Sequence, residues 1–224
     1  GKRGDGKPGG ALKTLRAEEL GAIAIKGALD KTGTDSAAVD HVVMGYALQT
    51  NSQSIYGARH AGLQAGIPEE VPMLTVSRIC GSGIQSIING AQMIMLEEAA
   101  TVVAGGMENL SQAPHVIRGA RDGWGLGRAP KVEDYMMTNL QDMTCGSFMA
   151  QTSDELCKRV DVKRQEVDEY AALSHARTAA SIDNDVFEQE IVPVTIKSRR
   201  GEVVLTHKDE DHLVRDCSAE SLSK

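Results

Sequence analysis

The sequence predicts an α/β protein with a layered core and a following α+β segment. Short β-branched runs alternate with amphipathic segments at the spacing of βαβ units. Aromatic residues make up only 3% of the 224 residues, while 23 glycines accompany many small aliphatic residues, which indicates tightly packed layers. From about residue 119 the chain becomes rich in glycine, methionine and charge. We therefore expect a largely parallel sheet with a buried central helix, followed by a looser α+β segment.

Local periodicity predicts the first elements. Residues 16–32 have helical spacing, and Gly33 follows as a stop signal. The predicted buried face of this helix comprises Leu20, Ile23, Ala24, Ala28 and Leu29. Residues 41–48 form a β-branched run typical of a strand, and residues 54–65 return to helical character before Pro68.

The middle of the chain predicts a strand, a helix and a second strand. Residues 73–79 have the pattern of a buried strand that runs directly into Cys80, and a helix begins near Gly83. Apolar residues cover most faces of that helix, so we expect it to be central and buried. They are Ile84, Ile87, Ile88, Ala91, Met93, Ile94, Met95 and Leu96. Residues 100–108 predict another strand, which ends near a glycine pair.

The segment after residue 118 predicts long loops with short elements. A helix is expected over residues 163–181 with Asp161 as its N-cap. Residues 191–197 and 202–206 predict a hairpin. We therefore place one domain at residues 1–118 and a second at residues 119–224.

Composition excludes several classes of partner. A formal charge of −7 and a pI near 5.4 argue against a general nucleic-acid or membrane-surface protein, either of which needs a basic face. No run of 18 apolar residues occurs, and the first ten residues have no signal-peptide pattern. We expect a reducing, cytoplasmic location without membrane contact.

The cysteines argue against a metal site. Cys80, Cys145, Cys157 and Cys217 form no CxxC pair and have no adjacent histidine at zinc-ligand spacing. A disulfide framework is not expected in so large a chain without a secretory signal. We therefore expect no bound metal.

Cys80 has a setting that the other cysteines lack, between a predicted strand and a predicted helix in "TVSRICGSGIQSI". A free cysteine with a pKa of about 8.5 is only about 3% thiolate at pH 7. A helix N-terminus favours the thiolate, and Gly81 and Gly83 would allow a sharp turn and an approaching acyl group. Local chemistry leaves two interpretations open, a nucleophile and a small packed thiol.

Two motifs resemble the N-terminal half of the thiolases, enzymes that make or cleave β-ketoacyl-CoA thioesters. They are "RICGSGIQSIINGAQMI" and "VVAGGMENLSQAPH", and the similarity extends along nearly all 224 residues. The resemblance implies that Cys80 accepts an acyl group from one acyl-CoA and passes it to the α-carbon of a second. Coenzyme A would then be part of the substrates, with no separate cofactor and no metal.

The resemblance also implies a mixed sheet in the core, and a lid domain at residues 119–224 that covers CoA. Met149 matches a methionine of the substrate pocket, and Arg215 and Ser221 fall near positions that contact CoA. A solvated surface role for Arg215 stays open as an alternative. Phe148 stands where short-chain members often have histidine, so chain-length preference is open, although the overall likeness favours short acyl groups. Lys197, Arg199 and Arg200 have the pattern of a charged hairpin tip.

The family pattern assigns the activating histidine and a second cysteine to motifs of a C-terminal catalytic domain that this sequence lacks, and we assign no chemical step to Glu108 or His115. Most of the family's first strand is also missing. We expect a thiolase that condenses two acetyl-CoA or short acyl-CoA molecules, or cleaves the product, and that forms a homodimer or homotetramer. The alternative is a non-catalytic CoA-binding or assembly subunit that a partner chain completes.

Overall fold

The chain divides into two compact units in a computed structural model that describes residues 10–198, 201–206 and 212–223. The first unit is Leu12–Met136, and the second runs from Met137 onward and includes residues 10 and 11. This division falls later than the predicted boundary at residue 118, because a strand pair joins residues on both sides of that position. The predicted domain limits stay a prediction.

A three-stranded parallel sheet forms the centre of the first unit. Its strands are β1 (His41–Gly45), β2 (Met73–Val76) and β3 (Val102–Gly106), in the order β2-β1-β3. The predicted strands over 41–48 and 100–108 are confirmed in slightly shorter form. All strands described in this sheet are parallel, so the antiparallel member expected of a mixed sheet is not among them.

Helices cover both faces of this sheet. They are α1 (Ala17–Thr32), α2 (Gly57–Gln64, preceded by a 3₁₀ turn at Ser54–Tyr56) and α3 (Ser82–Met95). Alternate residues of β1 point to opposite faces. Val42 and Met44 join the core with α1 and α2, whereas Gly45 lies against the start of α3. The layered α/β prediction is therefore confirmed.

Helix α1 has the predicted extent but buries a different face. It ends at Gly33, which adopts the left-handed conformation with φ of 65°. The buried positions are Ala17, Glu18, Gly21, Ala22, Ile25, Gly27 and Leu29. A Cβ at Gly21 would lie 2.8 Å from Met107 Sδ and 3.2 Å from Ala61 Cβ. Small residues thus allow close packing here, and a pattern of large apolar residues could not identify that face.

Helix α3 is the main departure from the predicted buried helix. It packs on the sheet through a stripe of small residues, Ser82, Ser86 and Gly90. A Cβ at Gly90 would lie 3.1 Å from Val102 Cγ1, so the helix approaches the sheet closely. Its large apolar side chains point elsewhere, and within this chain Ile84 is 66% and Met95 81% exposed.

Strand β2 is also less buried than predicted. It ends at Val76 instead of continuing to residue 79, and all four of its residues keep some solvent exposure. The reason is its place at the edge of the sheet, where β1 is its one partner among the described strands. The chain between β2 and α3 is therefore a turn.

The remaining elements are short in the first unit and mostly helical in the second. Strands β4 (His115–Ile117) and β5 (Val132–Asp134) pair antiparallel and lead into α4 (Tyr135–Asn139). Further along are α5 (Met149–Arg159), α6 (Arg164–Asp183), the antiparallel hairpin of β6 (Val194–Ser198) and β7 (Gly201–Leu205), and α7 (Ala219–Leu222). The predicted helix and hairpin of this segment are confirmed.

The predicted N-cap of α6 is wrong. Asp161 adopts the left-handed conformation with φ of 57°, and the cap position belongs to Lys163. The Lys163 N–H donates to the Glu166 carboxylate at 2.8 Å, so a side chain from inside the helix accepts the backbone N–H of the cap residue.

At the hairpin tip, Lys197 lies 3.6 Å from the Glu202 carboxylate, and Arg199 and Arg200 lie outside the described residues.

Among the residues that the structure describes, none of the helices combines the length and apolar character needed to cross a membrane.

Candidate active site

Cys80 lies on the turn between β2 and α3, directly before the first residues of the helix. The thiol-bearing residue is exposed, and an isolated bridge pairs Arg78 with Cys80. The predicted order of strand, cysteine and helix is confirmed, but a tight turn separates the strand from Cys80. Cys80 is thus an exposed residue within this chain, and its role as a nucleophile stays a prediction.

The turn bends at Ile79. This residue has φ of 50°, a left-handed conformation that a β-branched side chain disfavours. The Gly81 N–H donates to the Arg78 carbonyl at 3.1 Å, and the Ser82 N–H donates to the Ile79 carbonyl at 3.1 Å. Gly81 has φ of −86°, and Gly83 is not among the described glycines with positive φ. Ile79, and neither glycine, therefore has the left-handed conformation of the bend, whereas a Cβ at Gly81 would lie only 3.3 Å from the Arg78 carbonyl oxygen, so Gly81 helps to allow the tight turn.

Ser82 closes the turn with its side chain. Its Oγ accepts the Arg78 N–H at 2.8 Å and donates to the Ile79 carbonyl at 2.6 Å. The serine is only 4% exposed, whereas its partners Arg78 and Ile79 lie at the surface. We did not single out Ser82 from the sequence; a hydroxyl residue at the start of a predicted helix is the signal that could have found it.

The sheet holds the start of α3 by direct backbone contact. A Cβ at Gly45 would lie 2.5 Å from the Ser82 carbonyl carbon and 2.7 Å from the Gly83 nitrogen. The end of β3 is also near, because a Cβ at Gly106 would lie 3.6 Å from Gly83 Cα. Glycines at these two strand ends let the helix approach closely. This contact sets the position of the Cys80 turn relative to the ends of β1 and β3.

The helix start gives Cys80 its electrostatic setting. The first turn of a helix leaves backbone N–H groups without intrahelical acceptors, and the helix dipole places partial positive charge there. Cys80 immediately precedes Gly81, the N-cap of α3. This setting favours negative charge that develops beside the first turn, such as that on the oxygen of a thioester under attack.

The other cysteines have different surroundings. All four cysteines are free; Cys145 is exposed like Cys80, whereas Cys157 and Cys217 are partly buried. The Cys145 N–H donates to the Asp142 carboxylate at 3.3 Å. Within residues 10–198, 201–206 and 212–223, no group of three or more His, Cys, Asp and Glu side chains could hold a metal ion.

The segment after β3 supports the ends of the strands. The Glu108 carboxylate accepts the N–H groups of Ala47 at 2.9 Å and Leu48 at 3.2 Å, which follow β1. Burial raises the pKa of Glu108 above its ordinary value, although these two hydrogen bonds act in the opposite direction. The buried Asn109 amide donates to the Leu15 carbonyl at 2.5 Å, just before α1. Both residues thus have structural partners.

The three residues expected to contact CoA lie in the second unit. Met149 is the first residue of α5 and is 43% exposed. Both terminal nitrogens of Arg215 contact the Asp183 carboxylate at 3.0 Å, and this partner raises the pKa of Arg215. Ser221 lies in α7 and its hydroxyl donates to the Ser218 carbonyl at 2.8 Å. The CoA-binding role of each residue stays a prediction.

Comparisons with known proteins agree with this fold. The family model for the thiolase N-terminal domain matches residues 4–224. The mitochondrial 3-ketoacyl-CoA thiolase of Homo sapiens is 40% identical over 219 residues, which cover 98% of this chain and 55% of the human protein. The acetyl-CoA acetyltransferase of Cupriavidus necator is 39% identical over 205 residues, which cover 92% of this chain and 52% of that enzyme.

A solved structure shows the same likeness in three dimensions. The crystal structure of human mitochondrial 3-ketoacyl-CoA thiolase in complex with CoA matches with a TM-score of 0.89 and 39% identity, covering 95% of this chain and 52% of that one. The chain spans about half the length of the curated relatives it matches. Because the family model covers nearly all of its length, the chain belongs to the thiolase family through its N-terminal domain.

Proposed function

We propose that this chain provides the acyl-accepting half of a thiolase-type acyltransferase, with Cys80 as the nucleophile. The observation that carries the proposal is the exposed Cys80 thiol on the turn directly before α3. The likeness to a 3-ketoacyl-CoA thiolase and an acetyl-CoA acetyltransferase supports the reaction class. The whole protein would use acetyl-CoA or another short acyl-CoA.

The first step transfers an acyl group to the protein. The Cys80 Sγ, as a thiolate, attacks the thioester carbonyl carbon of an acyl-CoA, and a new carbon–sulfur bond forms. The bond between that carbon and the CoA sulfur breaks, and CoA leaves with the electron pair and takes up a proton. The positive end of α3 would stabilise the negative oxygen that develops during the attack.

The second step forms the product. A base removes a proton from the α-carbon of a second acyl-CoA, and that carbon attacks the carbonyl of the acyl-Cys80 thioester. A carbon–carbon bond forms as the bond to Sγ breaks, which releases a β-ketoacyl-CoA and regenerates the Cys80 thiolate. The family resemblance assigns this base, and the histidine that activates the nucleophile, to motifs outside this sequence.

Binding of CoA and assembly belong to the same proposal. Arg215 and Ser221 would contact CoA, with Met149 near the acyl group, and a thiolase structure in complex with CoA supports CoA as the ligand. We further propose a homodimer or homotetramer without metal, separate cofactor or nucleic acid. A cytoplasmic location is also a proposal, and the human relative is by its name a mitochondrial protein.

Labelling of the cysteines tests the proposal. The chain is incubated briefly with acetyl-CoA or with iodoacetamide, and each cysteine-containing peptide is quantified by mass spectrometry. We expect the label first on Cys80, while Cys145, which is also exposed but does not directly precede a helix, serves as the internal reference. Preferential labelling of another cysteine, or full acetyltransferase activity of the whole protein with Cys80→Ser, would overturn the assignment.

A further inference from the structure

We propose that Ser82 is the positioning residue that holds the Cys80 thiol in its reactive place. The proposal rests on the proposed role of Cys80 as a nucleophile and adds a residue that acts through it. Its basis is a pair of hydrogen bonds that one buried hydroxyl makes to the two residues before the cysteine.

The Ser82 hydroxyl joins both ends of the bend. It accepts the Arg78 N–H at 2.8 Å and donates to the Ile79 carbonyl at 2.6 Å. These bonds use one donor and one acceptor on the chain that enters the turn, while Ser82 itself belongs to the first turn of α3. Cys80 lies between the two connected parts, so the hydroxyl sets the position of Cys80 relative to the helix start.

The bend needs such a restraint because Ile79 is in an unfavourable conformation. Its φ of 50° places a β-branched residue in the left-handed region, and its side chain is 59% exposed. An exposed side chain makes few contacts that could hold this conformation, so the restraint comes from the backbone hydrogen bonds of Gly81 and Ser82 across the turn together with the Ser82 hydroxyl. Without the Ser82 hydroxyl, we expect Ile79 to relax towards negative φ, which would swing Cys80 away from the first turn of α3.

Ser82 itself is held in place from below. A Cβ at Gly45 would lie 2.5 Å from the Ser82 carbonyl carbon, so the helix start rests directly on the end of β1. Ser82 is 4% exposed, so the packing around it holds its backbone and its hydroxyl in place. The connection runs from the sheet through Ser82 to the turn that bears Cys80.

Ser86 offers a matched control on the same helix. It is fully buried, and its hydroxyl oxygen lies 2.7 Å from both the Gly83 and the Gly105 carbonyl oxygens, which share its one hydrogen. These bonds connect α3 to β3 and involve none of residues 78–81. Loss of the Ser86 hydroxyl should therefore affect the stability of the helix–sheet contact without changing the Cys80 turn.

The experiment measures the rate of iodoacetamide alkylation at Cys80 relative to Cys145 in the 224-residue chain, with thermal melting as a check on folding. We expect Ser82→Ala to lower this ratio about tenfold, because the thiol loses its place at the helix start. Ser86→Ala should leave the ratio unchanged. Threonine and valine have nearly the same shape, but only threonine has a hydroxyl. The Ser82→Thr variant should therefore keep a higher Cys80-to-Cys145 rate ratio than Ser82→Val, and this comparison remains available if Ser82→Ala fails to fold.

The outcomes separate this proposal from the proposed function. A folded Ser82→Ala chain with an unchanged ratio, or Thr and Val variants with equal ratios, would overturn the role of Ser82 and leave Cys80 as the nucleophile. A parent chain in which Cys80 reacts no faster than Cys145 would instead remove the basis of the proposed function.

Discussion

Gly45 lies directly beneath the backbone of Ser82, so closely that a Cβ on Gly45 would lie 2.5 Å from the Ser82 carbonyl carbon. The last residue of the central strand thus determines how closely the N-terminus of α3, the helix that follows Cys80, approaches the sheet. This contact links the packing of the sheet to the chemistry of the thiol, and it leads to the first prediction.

Gly45→Ala should be strongly destabilising. Backbone atoms, which cannot rotate away as a flexible side chain can, occupy the place of the new methyl group, and overpacking of this kind costs about 3 kcal/mol. Gly105→Ala is the matched control in the neighbouring strand, since its Cβ would meet Met44 Sδ at an ordinary 3.6 Å. Urea unfolding measures both variants. Equal free energies of unfolding for the two would contradict the close contact.

Glu108→Gln should change how stability depends on pH. Burial raises the pKa of Glu108 above its ordinary 4.5, so the folded chain holds this proton more tightly than the unfolded chain does. The stability that protonation of Glu108 contributes is fully present below its ordinary pKa and is lost as pH rises through its higher pKa in the folded chain. The variant cannot undergo this loss.

The free energies of unfolding of wild type and Glu108→Gln are compared from pH 4 to pH 8. We expect the free energy of unfolding of the variant, relative to that of the wild type, to increase as pH rises. The altered acceptor for the N–H groups of Ala47 and Leu48 adds a difference that does not depend on pH. Glu69→Gln, an exposed site, controls for loss of one negative charge. A variant that falls further behind as pH rises would mean that the two hydrogen bonds lower the pKa more than burial raises it.

Gly33→Ala and Gly83→Ala should have opposite effects, although neither new methyl group meets an atom within 4 Å. Gly33 has φ of 65° at the end of α1, where alanine costs about 1 kcal/mol. Gly83 lies inside α3 without a positive φ, so alanine should stabilise the chain by about 0.5 kcal/mol. Thermal and urea unfolding measure both. Equal signs would contradict the difference in backbone conformation.

Arg215→Ala should weaken CoA binding by the whole protein about five- to 150-fold, the range for loss of one charge-assisted hydrogen-bonding group. The guanidinium lies in an exposed ion pair with Asp183, within reach of solvent and ligands. Isothermal titration calorimetry with CoA measures the change, and Arg159→Ala controls for the loss of one positive charge. Unchanged affinity in a folded Arg215→Ala protein would favour the alternative of a solvated surface role.

Several elements of the fold were predictable because their signals are local. The β-branched run of β1, the apolar periodicity of α3 and the alternating strands of the hairpin each specify a backbone conformation over a few residues. Cys80 was identifiable for the same reason, since a cysteine between a strand and a helix is a pattern within one short stretch. Its place directly before α3 agrees with that pattern.

Burial was less predictable, because it depends on what packs against an element. The pattern of α1 pointed to Ile23, Ala24 and Ala28, yet Gly21 and Ile25 lie in the buried face. Glycine and serine contribute little to a hydrophobic pattern, although they allow the closest approach between layers. In α3 the same effect makes Ser86 and Gly90 the contact residues, and the large aliphatic side chains lie on the exposed faces.

The sequence by itself determined the α/β class, the order of the main elements, the family resemblance and the choice of Cys80, since each depends on residue types at fixed spacing. Only the tertiary structure decided that Ile79 forms the bend, that Ser82 closes it and that Gly45 supports it. Gly45 and Ser82 are 37 positions apart in the sequence. Their contact exists only because β1 and α3 pack together, and a local pattern of residue types does not specify contacts between residues so far apart in the sequence.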